Sequence, residues 1–231
     1  MTLVAVGSVH GSPGATTLAL DLARLCARPP GSEVLLVEAD PDGGCLAARL
    51  DLAVKPGMTE LAGAARVAIS VDDLWSYAQP TDLGVAVIVA HPAAEQVQAA
   101  LRAAVNHVGI ALRDAAGLVI VDVGRLRPGS PALALAALAD RTLVVSANSV
   151  EAVVSLHHRA QLLRSVGDPL VVLSAVKPYS ISDVATACGL DVWGAIGPNT
   201  RRAGRRRRAR ELRRLVLDGI PVDEQPAMVD A

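Results

Sequence analysis

The sequence contains no phenylalanine, and its tryptophans and tyrosines are only Trp75, Trp193, Tyr77 and Tyr179. So few rings exclude a single-strand nucleic-acid surface built on base stacking. Cysteine is scarce as well. Cys26, Cys45 and Cys188 are too few and too scattered for a disulfide framework or a zinc site, and they read as reduced thiols of a cytoplasmic protein. No apolar run reaches the about 18 residues that a membrane-spanning helix needs, so no membrane span is expected. The first residues enter a strand pattern directly, which leads us to expect no signal peptide. Lysine is nearly missing: Lys55 and Lys177 are the only two, and arginine carries the remaining positive charge. That charge is concentrated. Residues 201–214 hold nine arginines against one glutamate, and residues 215–231 hold four acids and no base.

What is present is apolar and aliphatic. Ala, Leu and Val dominate a 52% hydrophobic content, enough for one sizeable α/β core in 231 residues. We expect a single domain over residues 1–222, with an arginine-rich helix at about 201–217 and an acidic tail from 223 to 231.

The chain is organised around LVAVGSVHGSPGATTLALDLARLCA, from Leu3 to Ala27. Val4, Val6 and Val9 make a β-branched run. Gly11-Ser12-Pro13-Gly14 is a tight turn. Leu18, Leu20, Leu22 and Leu25 then carry a helical apolar face, with Thr16 or Thr17 as its N-terminal cap. A glycine turn between strand and helix aims backbone N–H groups and the positive helix end at one spot, which is an anion site.

Further strands are expected over 33–38, 83–90, 117–124, 141–147, 169–176 and 191–196, making seven. Helices are expected over 56–67, 71–77, 93–115, 131–138, 150–166 and 181–188. This alternation predicts a three-layer α/β fold, a mostly parallel sheet of about seven strands with helices on both faces. The turn Ala39-Asp40-Pro41-Asp42-Gly43-Gly44 follows the second strand, and Asp122 closes the buried run Leu118–Val121. Acids at the carboxyl ends of parallel strands face the crevice where ligands bind. Among the arginines, Ala209, Leu212, Leu215 and Val216 would give a docking face. Arg205, Arg206, Arg207, Arg208, Arg210, Arg213 and Arg214 would cover the rest as an anion-binding surface, with Gly204 separating a turn from the helix.

These motifs, in this order, resemble the ParA/MinD superfamily, whose deviant Walker A reads KGGxGK[ST]. The frame here is HGSPGAT, from His10 to Thr16. The resemblance implies an ATP–Mg site formed by Gly11, Ser12, Gly14, Ala15, Thr16 and Thr17, with Thr16 and Asp122 on the magnesium ion. Both lysines are replaced, by His10 and Ala15. The Asp40 turn resembles the family's DxDPxGN switch, with Glu38 as its first acid and Gly44 in place of Asn. It implies that Asp40 is a vestige of the acid that positions the attacking water. VVLSAVKP resembles a strand whose Asn reads the adenine edge, and here Ser174 replaces that Asn. The overall style is closest to the CpaE/TadZ group of pilus and secretion systems. The resemblance therefore implies a degenerate positioning or scaffold factor, a pseudo-ATPase with weak or absent ATP binding. It also implies a homodimer that does not depend on ATP, and DNA or an acidic protein as partner of the arginine run. Two alternatives stand beside this. One is a slow ATPase in which arginines, Arg201 and Arg202 among them, replace the lost lysines. The other is a module that chiefly binds anions.

Overall fold

The computed structural model describes residues 2–11, 13–27, 33–66, 69–197 and 202–220. The chain opens with β1 (Thr2–Ser8), buried along its whole length, and α1 (Ala15–Cys26). Then come β2 (Val34–Glu38), α2 (Leu46–Leu50), α3 (Met58–Ala64) and α4 (Val71–Ser76). β3 (Gln79–Pro80) and β4 (Ala86–Ile88) lead to the long α5 (Ala94–Asp114). The second half holds β5 (Leu118–Arg125), α6 (Leu133–Leu138), β6 (Arg141–Ser146) and α7 (Val150–Ser165). It closes with β7 (Pro169–Leu173), α8 (Ile181–Cys188), β8 (Val192–Ala195) and α9 (Arg202–Gly219).

The strands form one eight-stranded sheet in the order β3-β4-β2-β5-β1-β6-β7-β8. Every neighbouring pair is parallel except β3 with β4. The expected three-layer parallel architecture is therefore present, with one strand more than expected. β3 is two residues long and contains Pro80, so it carries no alternating pattern, and a proline is tolerated there only because the strand lies at the sheet edge.

Side chains alternate across the strands as a twofold period requires. Leu3, Ala5, Leu35, Val37, Val119 and Val121 face a core closed by α3, α5, α6, α7 and α8. Val4, Val6, Val34, Leu36, Leu118 and Ile120 face the opposite core, closed by α1, α2 and α9. Both faces are covered, which is why the central strands read as unbroken apolar runs.

Three local expectations change. α1 begins at Ala15, two residues earlier than a Thr16 cap would allow. Its N-cap is Gly14 in the left-handed region (φ 103°), which closes the turn without a side-chain hydrogen bond. α2 has no amphipathic run of its own. It starts where the Glu38 carboxylate accepts hydrogen bonds from the N–H groups of Cys45 (2.6 Å) and Leu46 (2.9 Å). Lastly, α9 runs straight through Gly204. It docks by Leu212, Leu215, Val216 and Ile220, while Ala209 is exposed. The polar end of that docking face is Arg208, whose guanidinium holds Asp21 of α1 at 2.7 Å and donates to the Gly197 carbonyl at 2.8 Å. Parallel ladders place the loops after β1, β2, β5, β6 and β7 on one rim, and all the predicted site residues except those of α9 belong to that rim.

Candidate functional site

The site begins at the loop after β1. Gly11 (φ 62°) and Gly14 (φ 103°) both take the left-handed region, and an added Cβ at either would meet nothing within 4 Å. The two glycines are thus set by backbone conformation, and the space beside them is open. No acid lies in the first turn of α1, so no side chain of the helix itself offsets the partial positive charge of its N-terminus. Gly11, Pro13, Gly14, Ala15, Thr16 and Thr17 line a cavity of about 310 Å3. Ser12 lies outside the described residues. His10 is exposed, and its nearest electrostatic effect falls on Glu151, whose carboxyl it helps hold below the usual range after the hydrogen bonds from Glu151's own N–H and Ser149.

Behind the loop, Glu38 and Asp122 are register partners on adjacent strands. Both are buried, and they differ in how they are satisfied. Glu38 accepts from Cys45 and Leu46 with one oxygen and from the Ala90 N–H (3.0 Å) with the other. It is a structural clamp that ties α2 to the end of β4. Gly44 fits this clamp: a Cβ there would come within 2.6 Å of the Glu38 carboxylate and 2.3 Å of the Ala90 carbonyl.

Asp122 accepts the Gly124 N–H (3.1 Å) on Oδ1 and has the Thr16 side chain as a hydrogen-bonding neighbour, while its Oδ2 is buried with no partner at hydrogen-bond geometry among the described residues. Burial pushes its pKa up to about 7, opposed by Thr16 and the Gly124 N–H and reinforced by Asp40 and Glu38. An orphaned carboxylate oxygen beside a threonine hydroxyl at the mouth of an anion loop fits a hard divalent cation such as magnesium. Such an ion takes one or two protein oxygens and completes its shell from water and phosphate. No cluster of three or more His, Cys, Asp or Glu side chains among the described residues could cage a metal unaided.

Asp40 lies on the rim of the same cavity. Its carboxylate packs on Gly124, which has φ 60° and where a Cβ would stand 2.0 Å from Oδ1. It accepts from the Asp42 N–H (2.9 Å), and burial raises its pKa. Asp42 is paired with Arg127 at 3.0 Å.

Two residues that the loop motif does not contain reach it. Arg125, at the end of β5, donates to the Gly11 carbonyl at 3.2 Å. Arg49 of α2 donates to the Thr17 hydroxyl at 3.2 Å. Both are exposed and both line the cavity. Sequence reasoning looked for a compensating guanidinium at Arg201 and Arg202. Arg201 lies outside the described residues, as does the side chain of Arg202.

A second cavity of about 320 Å3 shares Pro13, Gly14 and Thr17 with the first and extends to Val172, Ser174 and Ile196. Arg208 stands on its wall with a side chain only 12% exposed, committed to Asp21. It is therefore a docking residue, and this corrects its expected place on the open arginine face. Arg207 pairs with Glu211 (2.6 Å), and the Arg214 guanidinium lies 6.0 Å from the centre of the Trp193 ring. Arg206 and Arg210 are exposed, Arg213 is half-buried, and the side chain of Arg205 lies outside the described residues, as does the tail 223–231.

No family model matches the chain, and no curated protein matches its sequence. Its fold matches solved structures throughout. A ParA family ATPase from Chlorobium tepidum TLS superposes with a TM-score of 0.72 at 15% identity, over 94% of this chain and 92% of that one. The septum site-determining protein MinD of Pyrococcus horikoshii OT3, complexed with Mg-ADP, gives 0.66 at 14% identity, over 85% of this chain and 81% of that one. The MinC:MinD cell division protein complex of Aquifex aeolicus gives 0.65 at 16%, over 97% of this chain and 99% of that one. The chain has the ParA/MinD type of P-loop fold. Among its described residues, no helix is long and apolar enough to cross a membrane.

Asp122 makes the stability of the ligand-free protein depend on pH. Its ordinary pKa of 3.8 rises to about 7 on folding, so between these values the folded state holds a proton that the unfolded state has released. Its contribution to stability therefore falls as pH rises from about 4 to about 7 and stays low above that. Melting in EDTA at pH 8 should show Asp122→Asn more stable than wild type by about 2–4 kcal/mol, with the gain gone below pH 4. A less stable variant at pH 8 would contradict the assignment.

Proposed function

We propose that this chain, which has the fold of the ParA and MinD ATPases, is a degenerate positioning or scaffold factor that binds ATP–Mg weakly and turns it over at a near-background rate. Pilus or secretion-system localisation, of the CpaE/TadZ kind, and chromosome or septum positioning are the tasks that suit such a factor. The observation that carries the reading is the pairing of an α1 N-terminus that has no acid in its first turn with the unpartnered Oδ2 of Asp122 beside Thr16. An anion cradle and a hard-cation ligand meet at one cavity. The triphosphate would lie on the 11–17 loop. Magnesium, held by Thr16 and Asp122, would supply charge neutralisation to the phosphates. The cavity that ends at Ser174 and Ile196 would take the nucleoside, with only the Ser174 hydroxyl to address the base edge.

The weakness follows from Ala15 and His10. A charge-assisted hydrogen bond contributes roughly 1.5–3 kcal/mol, so losing both lysines removes roughly 10²–10⁴ in affinity. Turnover suffers more than binding, because phosphoryl transfer depends on stabilising the charge that spreads over the transferred group. Asp40 alone orients water without supplying that charge. With His10 in the position of the signature lysine, a homodimer, where one forms, does not depend on ATP.

A second reading concerns α9, where Arg206 and Arg210 are exposed and the Arg214 side chain is 74% exposed. This face suits a polyanion such as DNA, bound without sequence preference. In a gel-shift titration, binding should weaken steeply with salt, with a log–log slope near −0.9 per phosphate contact. The Arg206→Ala/Arg210→Ala variant should flatten that slope, and no binding at low salt would leave an acidic protein partner or a simply solvated face.

Calorimetry tests the main reading. ATP–Mg should bind wild type with a dissociation constant of roughly 0.1–10 mM, and Ala15→Lys should bind at least ten times more tightly. Micromolar binding by wild type with rapid hydrolysis would contradict it.

A further inference from the structure

We propose that Arg49 and Arg125 form a two-point clamp for the phosphate chain of a nucleoside di- or triphosphate, supplying from neighbouring elements part of the positive charge that the loop itself lacks. The inference rests on the reading of this rim as a nucleotide site and adds its charge receptors. The two guanidiniums stand at the two ends of the loop. Arg125 is hydrogen-bonded at Gly11, where the loop begins, and Arg49 at Thr17, in the first turn of α1. Each comes from a different element, β5 and α2, and both elements belong to the β2–β5 side of β1 in the sheet.

Their present partners are weak. Both bonds are 3.2 Å long, at the upper limit for an N–H donor, and both acceptors are neutral oxygens. Neither arginine is in an ion pair among the described residues, unlike Arg127 with Asp42, Arg141 with Asp168 and Arg208 with Asp21. A guanidinium has five N–H donors, so most of each fork remains for a ligand. Asp40, Asp42 and Cys45 line the same cavity. Burial raises the Asp40 pKa, with Arg125 a minor opposing influence, and burial and Glu38 raise that of the Cys45 thiol against a hydrogen bond from Arg49. α2 is in turn anchored by the Glu38 carboxylate at its first turn, so Arg49 is mounted on a fixed element. Planar forks bind phosphate oxygens in pairs, which a lysine cannot do. A clamp open at both ends of the loop favours a chain of phosphates over a single one.

The test is a binding series on the full chain with magnesium present, using ATP, tripolyphosphate and inorganic phosphate as probes. Wild type should bind ATP and tripolyphosphate and bind phosphate at least tenfold more weakly. Arg49→Gln and Arg125→Gln should each lose about tenfold or more in ATP affinity, and the double variant should lose measurable binding. Arg125→Lys should recover part of the loss. Arg113→Gln, exposed at the end of α5 on the opposite rim, removes the same charge and should bind ATP as wild type does. Unchanged ATP binding by both glutamine variants, with unchanged melting temperature, would overturn the clamp and leave the nucleotide reading standing. No binding of ATP by wild type at 10 mM would overturn both.

Discussion

Two buried carboxylates lie side by side at the carboxyl ends of two central parallel strands, and the rest of the rim is arranged around that fact. Glu38 and Asp122 are register partners on β2 and β5. Two adjacent buried charges are costly, and the fold answers each differently. Glu38 is given three backbone N–H groups, from Cys45, Leu46 and Ala90, and in return fixes where α2 begins and how the turn after β2 returns to β4. Asp122 is given one, and keeps a buried oxygen without a partner beside Thr16. The sheet can hold this asymmetry because its apolar residues cover both faces. An unsatisfied group of that kind marks a place of strain, of catalysis, or where a water or ion completes the shell.

The second organising feature is where positive charge has gone. The glycine loop carries no lysine or arginine of its own: Ala15 is buried and His10 is exposed. The guanidiniums that reach the loop, those of Arg49 and Arg125, belong to neighbouring elements. Position also decides the part each arginine plays in α9. There Arg208 is drawn into a buried ion pair with Asp21 and docks the helix, while Arg206 and Arg210 stay in solvent. An arginine-rich segment is thus divided by geometry into a structural part and an open part.

Much of this was legible in the sequence because it is local. β1, the glycine turn and α1 follow one another within 25 residues. Asp40 and Asp122 each end or follow an apolar run, and the alternation of strands and helices names the fold class. What was not legible depends on distant partners. The Arg125 bond to Gly11 spans 114 residues and the Arg208 bond to Asp21 spans 187, and no pattern in either segment points to the other. α2 is five residues long, and its start is set by a carboxylate on another strand. Gly124 closes an expected strand in the sequence, and in the fold it is the surface on which the Asp40 carboxylate rests.

The central claim is that the rim around Thr16 and Asp122 is still a magnesium–polyphosphate site. Amide hydrogen exchange, followed residue by residue with ATP and magnesium and again with ATP and EDTA, tests it most directly. The account predicts slowed exchange at residues 14–18 and in α2 when both ATP and magnesium are present, little change without the metal, and none along the interior strands. Exchange at the loop that is the same in all conditions, with any protection confined to α9, would contradict it.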